Sequence, residues 1–530
     1  MGSSMRFGRG VVFGVAALAR PACGGGGNHG DAPIELLVGI SADGGPTRLY
    51  GGDLRGRDLR LLDGGVGLVQ RYAWSPDRTR VAFVANDGAG DATVYVLDLP
   101  DGVPVPVSPP PPVGGYASDP QWSPDGTHLA WVGSLVDDAM DTDELWVGSG
   151  AGIASAVSGS EHVRGTSRPF WSPDSTHLAD GGQVAGMQPN GAVSLWVVGA
   201  DGSGRTNVSG ALVVGGSVSW NSPTGTSGRG PRQVWSSDRA RVAFLADKDT
   251  DEVRELYTVK PDGTGIVKAL AAPTPTSDVG AFEGSPTAPQ LLAQRAGTGA
   301  QLWVAPAAGG GALAVSGATE VLGPWNTRWN ADGTRIAYVA AGGTELRTVA
   351  PDATSPRLLA SLADPIPSFG LQWAPVDLQL GFAAGIEGVS DPDHFLLYTI
   401  VDVAGAAPVL LTPNVSATEG NVLESSWDGS PDATRLGFVA QPDAAHAYDL
   451  FVVNADGSGR AQLTSRPAPD GYPGGSQWTP GGARFVGSEG DPIDGDFRLR
   501  SSAADGGSRA TIVDEDAIGP DGWTQNPELR

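Results

Sequence analysis

The chain has 530 residues with a net charge of -25, and 79 Gly with 42 Pro make it light and rich in turns. A hydrophobic content of 40% with 15 Trp excludes wholesale disorder, because there is ample apolar surface to bury, and the absence of a three-residue glycine period excludes collagen. So acidic a surface repels phosphate backbones, which excludes nucleic acid and favours cations or proteins with basic patches as partners.

Residues 1–23 read as an export signal. Arg6 and Arg9 form a basic start, Val11 to Ala19 is a short apolar core, and Ala17-Leu18-Ala19 is a small-residue exit. Ala22-Cys23 followed by four glycines resembles a bacterial lipoprotein signal, which implies lipidation of Cys23 and a Gly-rich tether over 24–33. The match departs from that pattern at Arg20, three residues before the cysteine, and cleavage after Ala19 is the alternative. Cys23 is the only cysteine, so neither an intramolecular disulfide nor a Cys-based zinc site is expected. No apolar run reaches the 18 or so residues that span a bilayer, so a lipid anchor is the only membrane attachment expected.

From Ile34 onward the chain is a repeat. Trp74-Ser75-Pro76-Asp77 precedes Arg80 to Ala85, then Thr93 to Asp98. Equivalent units open at Trp122, Trp171, Trp235, Trp329, Trp373, Trp427 and Trp478, and a degraded one at Phe282. Most markers lie near 48 residues apart, and a polar insertion, Asn221 to Gly230, widens one gap. A period of 40–50 residues with several short strands is the signature of propeller blades. Each unit suits a four-stranded antiparallel meander, its Trp closing the first strand and wedging between neighbouring sheets. The second strand is apolar on both faces, as expected of a sheet buried between two others. Val103 to Pro112 reads as a stiff polyproline spacer.

The two ends complete one another. Ile34 to Ile40, Arg48 to Tyr50 and Asp58 to Leu62 match the second, third and fourth strands of a unit without its first, and Gly522-Trp523-Thr524 matches a first strand alone. Pairing of these segments would close the array. The fold class expected is therefore all-β: about ten units of four-stranded antiparallel blades over 34–530, in one large ring or two smaller ones.

These units resemble the WD40-like PD40 β-propeller repeats of TolB and of the prolyl-oligopeptidase clan. The resemblance implies a propeller that docks proteins or peptides in the cell envelope. The α/β domain that TolB carries ahead of its propeller has no counterpart before Ile34, and no Gly-x-Ser-x-Gly elbow of the peptidases occurs. No catalytic residue is carried over.

His128 and His177 lie six residues after their Trp, where other units hold Arg80, Arg241, Arg335 and Arg484, and read as solvated strand starts. The stronger signal is acidic. Between second and third strands lie Asp137, Asp138, Asp141 and Asp143, then Asp247, Asp249 and Asp251, then Asp391 and Asp393, all expected on one ring face as a binding surface. Asp247, Asp249 and Asp251 share the start of a calcium loop but lack its glycine and closing glutamate, so Ca²⁺ is the one cofactor considered. Three functions compete: a non-catalytic envelope scaffold, a calcium or small-ligand binder, and a hydrolase or lyase with a site at the central channel.

Overall fold

The computed structural model of the chain describes residues 15–16 and 34–514, except the segments 41–46, 56–58, 87–91, 111–114, 118–119, 135–142, 159–161, 164–168, 184–192, 220–233, 275–276, 297–298, 318–319, 322–326, 364, 367–370, 375–377, 386–394, 413–421, 423–426, 442–447, 465–475, 480 and 491–496. It is all-β, with ten sheets whose strands run antiparallel in the order innermost, second, third, outer. Their second strands are Leu36–Ile40, Arg80–Asn86, Leu129–Ser134, His177–Gln183, Val242–Ala246, Gln290–Arg295, Ile336–Ala340, Gln379–Gly385, Arg435–Ala440 and Arg484–Gly490. Numbered in that order, they are the blades of a single ten-bladed propeller. Val81 to Ala85 and Val242 to Ala246 are buried throughout, because both faces of each sheet lie against a neighbour.

The repeated turn builds itself from side chains. Ser75 Oγ donates to Asp77 Oδ1 at 2.6 Å and accepts the Arg80 N–H at 2.9 Å, so the buried hydroxyl closes the turn from the inside. Asp77 also accepts the Thr79 N–H at 3.1 Å. The same net recurs at Ser123/Asp125, Ser172/Asp174, Ser236/Asp238 and Ser430/Asp432. The residue after each Asp is left-handed: Gly126 at φ 73° and Gly333 at φ 71°, but also Arg78 at 61° and Ala433 at 58°. Only glycine adopts that region without steric cost.

The marker tryptophans hold blade to blade. Trp122 Nε1 donates to the Ala73 carbonyl, Trp171 to Gln121, Trp235 to Phe170, Trp373 to Arg328 and Trp478 to Asp428, all at 3.0–3.2 Å. Each bond runs from one innermost strand to the preceding one, which is the wedge the sequence anticipates. A second set of staples runs further out. The hydroxyls of Thr258 and Thr399, on third strands Glu255–Val259 and Phe395–Val401, donate to the Ala307 and Ala455 carbonyls of the next blade at 2.5 and 2.7 Å. Thr348 on Glu345–Val349 likewise donates to Asp402 at 2.6 Å.

The ends meet. Ser501, on third strand Phe497–Ala503 of the tenth blade, donates its hydroxyl to the Leu54 carbonyl of the first. That is the same staple as at Thr258 and Thr399, so the last boundary is an ordinary blade boundary and the array is one ring. The innermost place of the first blade differs from expectation. Val15–Ala16 holds it, opposite Val38 and Leu37. Gly522-Trp523-Thr524 lies outside the described residues, as do Cys23, the tether 24–33 and the rest of the expected signal. A sheet edge asks only for backbone donors and acceptors, which any short extended segment supplies.

One further expectation changes. Val105–Pro106 is the outer strand of the second blade, paired with Val96 and Tyr95, rather than a bare spacer; an edge strand tolerates proline. In the fifth blade Val218–Ser219 pairs with Ala246 and Leu245, and Trp235 bridges Val242; the expected insertion 221–230 lies outside the described residues.

Candidate functional site

The carboxylates picked out by the sequence are only partly within the described residues. Asp137, Asp138, Asp141, Asp391 and Asp393 lie outside them. Asp143 accepts the Tyr116 hydroxyl. Asp247 Oδ1 accepts the Ser217 N–H at 2.5 Å, tying the loop to the innermost strand of its blade. Asp249 takes Lys268 Nζ at 2.8 Å and the Tyr257 hydroxyl at 3.1 Å, while Glu255 takes the same two groups at 2.5 and 2.8 Å. The Lys268 ammonium holds the Asp249 carboxyl below its ordinary pKa, and burial with the neighbouring Glu255 pushes the Tyr257 hydroxyl up. Asp251 is exposed. The three carboxylates of the D-x-D-x-D stretch thus face separate surroundings, and among the described residues no three His, Cys, Asp or Glu are grouped to hold a metal ion.

An open concavity lies on the opposite face, built from the turns. Six residues after the marker Trp, three blades place a long side chain that reaches the next blade, whereas Arg241 and Arg484 bond within their own. Arg80 stacks its guanidinium 4.4 Å over the Trp122 ring and donates to the Gly126 carbonyl. Arg335 binds Asp402 at 2.6 Å. Gln379 Nε2 reaches the Ala455 carbonyl at 3.0 Å, and the gap beside it has closed to about 20 Å³.

His177 occupies this position in the fourth blade. Its ring lies 6.4 Å from that of Trp235, and Nδ1 is 2.8 Å from the Thr176 hydroxyl, so it is half-buried against the next blade rather than free in solvent. His128 packs likewise on Trp171 at 6.1 Å. The reading of both as solvated strand starts is therefore corrected. The signal was present, since a position that accepts Arg, Gln and His selects for reach and for a cationic or planar group over an indole.

At the fourth blade the long side chain is replaced by His177, and Val197, which has no hydroxyl to donate, stands where Thr258, Thr348 and Thr399 donate in other blades. A cleft of about 600 Å³ opens there, lined by His177, Val197, Ser203 and Thr206 of the fourth blade and by Lys260 and Asp262 of the fifth. The third blade has the same pair, His128 and Val147. Asp262 is held below its usual pKa by the Thr264 hydroxyl and amide, with Lys260 adding to the effect. The volume is that of a small-ligand or side-chain pocket.

No family model and no curated protein matches the chain. Among solved structures it is similar to the dipeptidyl peptidase 4 of Porphyromonas gingivalis, with 13% identity and a TM-score of 0.45, over 86% of this chain and 60% of that one. A eukaryotic initiation factor aligns at 11% identity and 0.43 over 80% and 92%, and the C-terminal WD40 domain of Sif2 at 12% and 0.36 over 72% and 95%. The chain thus spans about 60% of the length of the peptidase it matches. At these identities the likeness concerns the fold alone: β-propellers, found here among peptidases and WD40 domains alike.

Proposed function

We propose that the protein is a non-catalytic propeller scaffold of the cell envelope that docks a protein or peptide bearing a basic side chain. The observation that carries this reading is the cleft between the fourth and fifth blades. It is the space that the chain's own Arg80, Arg335 and Gln379 span at other boundaries, left open by the shorter His177. A guanidinium or ammonium from a partner would fill it as Arg80 fills its own boundary, over a ring and against backbone carbonyls. The charge favours the same partner: Asp201 and Asp262 are exposed on these turns, and the chain carries -25 overall.

The test is competition from within. In His177→Arg the chain supplies the missing guanidinium, so capture of a partner from envelope extract drops while the melting temperature holds or rises. Capture that is equal for wild type and His177→Arg, or indifferent to salt between 50 and 500 mM, contradicts the reading.

A further inference from the structure

The fourth blade carries a buried carboxylate where other blades carry rings. Three residues after the bridging position, Phe83, Trp131, Phe244, Phe382 and Phe438 each stack on an aromatic residue of the third strand, with ring centroids 5.4–6.4 Å apart. Asp180 holds this place in the fourth blade, opposite Trp196, and is 1% exposed. In place of a ring, the Arg205 guanidinium lies 4.5 Å over the Trp196 indole. Its Nη2 donates to both Asp180 oxygens, at 3.1 and 3.3 Å, and its Nη1 to the Ser158 carbonyl of the third blade at 3.0 Å.

Such a pair adds little net stability, because desolvating two charges offsets their attraction, whereas a stacked ring carries no such cost. What the pair supplies is a fixed position. The ninth blade shows the difference. Arg460 follows Asp456 by four residues, as Arg205 follows Asp201, but Phe438 stands in the carboxylate's place, and Arg460 bonds the Leu411 carbonyl of the eighth blade at 3.4 Å.

Arg205 forms the reverse side of the cleft between the fourth and fifth blades. Trp196 and Val197 are consecutive and face opposite ways: Trp196 lies under Arg205, and Val197 lines the cleft with Thr206 opposite it. Gly204 and Thr206 line the cleft on either side of Arg205. The turn they belong to is light. Gly202 and Gly204 bring no side chain, and the bonds from Gly202 N–H to the Gly199 carbonyl, at 2.8 Å, and from Ser203 N–H to Asp201, at 2.9 Å, are internal to it. Arg205 ties this turn to the body of the ring.

We infer that Arg205, oriented by Asp180, is the positioning residue of the cleft: it sets the spacing between residues 203–206 and the Lys260 and Asp262 side, so that a cationic side chain meets a preformed gap. For its ligand this rests on the docking reading above; the anchoring of the turn does not. A wall ordered in advance raises affinity, because binding no longer costs the entropy of ordering it.

The test separates position from stability. Asp180→Phe with Arg205→Leu restores the ring and removes both charges together, leaving neither unpaired. The melting temperature holds or rises, while amides 202–206 exchange roughly tenfold faster, with Val242–Ala246 of the fifth blade as an unchanged control. Nα-acetylarginine amide, titrated by ligand-observed NMR, binds about fivefold more weakly than to wild type. Arg205→Lys keeps the charge but cannot fork across two carboxylate oxygens and a carbonyl, so it gives intermediate exchange and affinity, and it carries the test if the double variant does not fold. Wild-type exchange at 202–206 in the double variant or in Arg205→Lys, or unchanged affinity despite faster exchange, overturns the inference. A probe that binds wild type and His177→Arg equally sinks the docking reading instead, and exchange at 202–206 then decides the role of Arg205 alone.

Discussion

Two tryptophans allow the blade-to-blade bond to be weighed. Trp373 and Trp329 sit at the same place in adjacent blades, opposite Leu380 and Ile336, and are 7% and 6% exposed. Trp373 donates to the Arg328 carbonyl at 3.1 Å; Trp329 Nε1 has no partner. Replacing either by Phe removes the same ring volume and leaves a similar cavity, a loss common to both. Only Trp373→Phe also removes a hydrogen bond across a buried boundary, worth about 1–2 kcal/mol. Amide exchange at Leu380 and Ile336 reads each cost locally, which a chain of ten sheets requires because global unfolding need not be two-state. The Trp373 variant should exchange roughly 5–30 times faster relative to its own wild-type rate than the Trp329 variant does. Equal effects, or a larger one at Trp329, would refute the claim that the indole donors staple the ring.

Asp402 is fully buried between Arg335 at 2.6 Å, Arg357 at 2.9 Å and the Thr348 hydroxyl. Asp402→Ala leaves two guanidinium groups without their partner and should cost about 3–5 kcal/mol, read as a fall in melting temperature; a loss under about 1 kcal/mol contradicts the network. Burial alone would raise the Asp402 pKa, but the hydrogen bonds from Thr348 and the arginines bring it below the ordinary value. In the turns, the Ser123 hydroxyl lowers the Asp125 carboxyl to about 2, and Asp174 reaches about 2 against its own partial burial, through Ser172 and Thr176. These folded values lie below the unfolded ones. The stabilisation is thus complete above pH of about 4 and is lost as pH falls toward 2. Melting curves taken between pH 6 and 2 should drop in that window, and Ser123→Ala with Ser172→Ala should lessen the drop; a flat profile contradicts it. Ala433→Gly relieves a left-handed alanine at φ 58° and should stabilise by about 0.5–1 kcal/mol, seen as a higher melting temperature, whereas a lower one would mean the turn is held by other contacts.

The blade was legible because its parts are local. A Trp followed by Ser-Pro-Asp fixes a strand end and a turn through bonds within seven residues, and the alternation that follows declares a sheet buried on both faces. The contacts between blades were not legible. Nothing near His177 states that Arg80 reaches Gly126 or that Val197 stands where Thr399 donates, since those bonds join residues some 50 positions apart in sequence. Val105-Pro106 misled for a related reason: its proline content suggests a spacer, and only the neighbouring Val96 makes it an outer strand. Asp247 and Asp249 were read as one site from their spacing, while the fold turns one to a backbone amide and the other to Lys268.

The account stands on a single closed ring of ten blades. Electron cryomicroscopy of the purified chain, viewed down the ring axis, counts them directly. Ten sheets with Ser501 of the last against Leu54 of the first are predicted; an open arc, two separate rings, or any other number of sheets would contradict it.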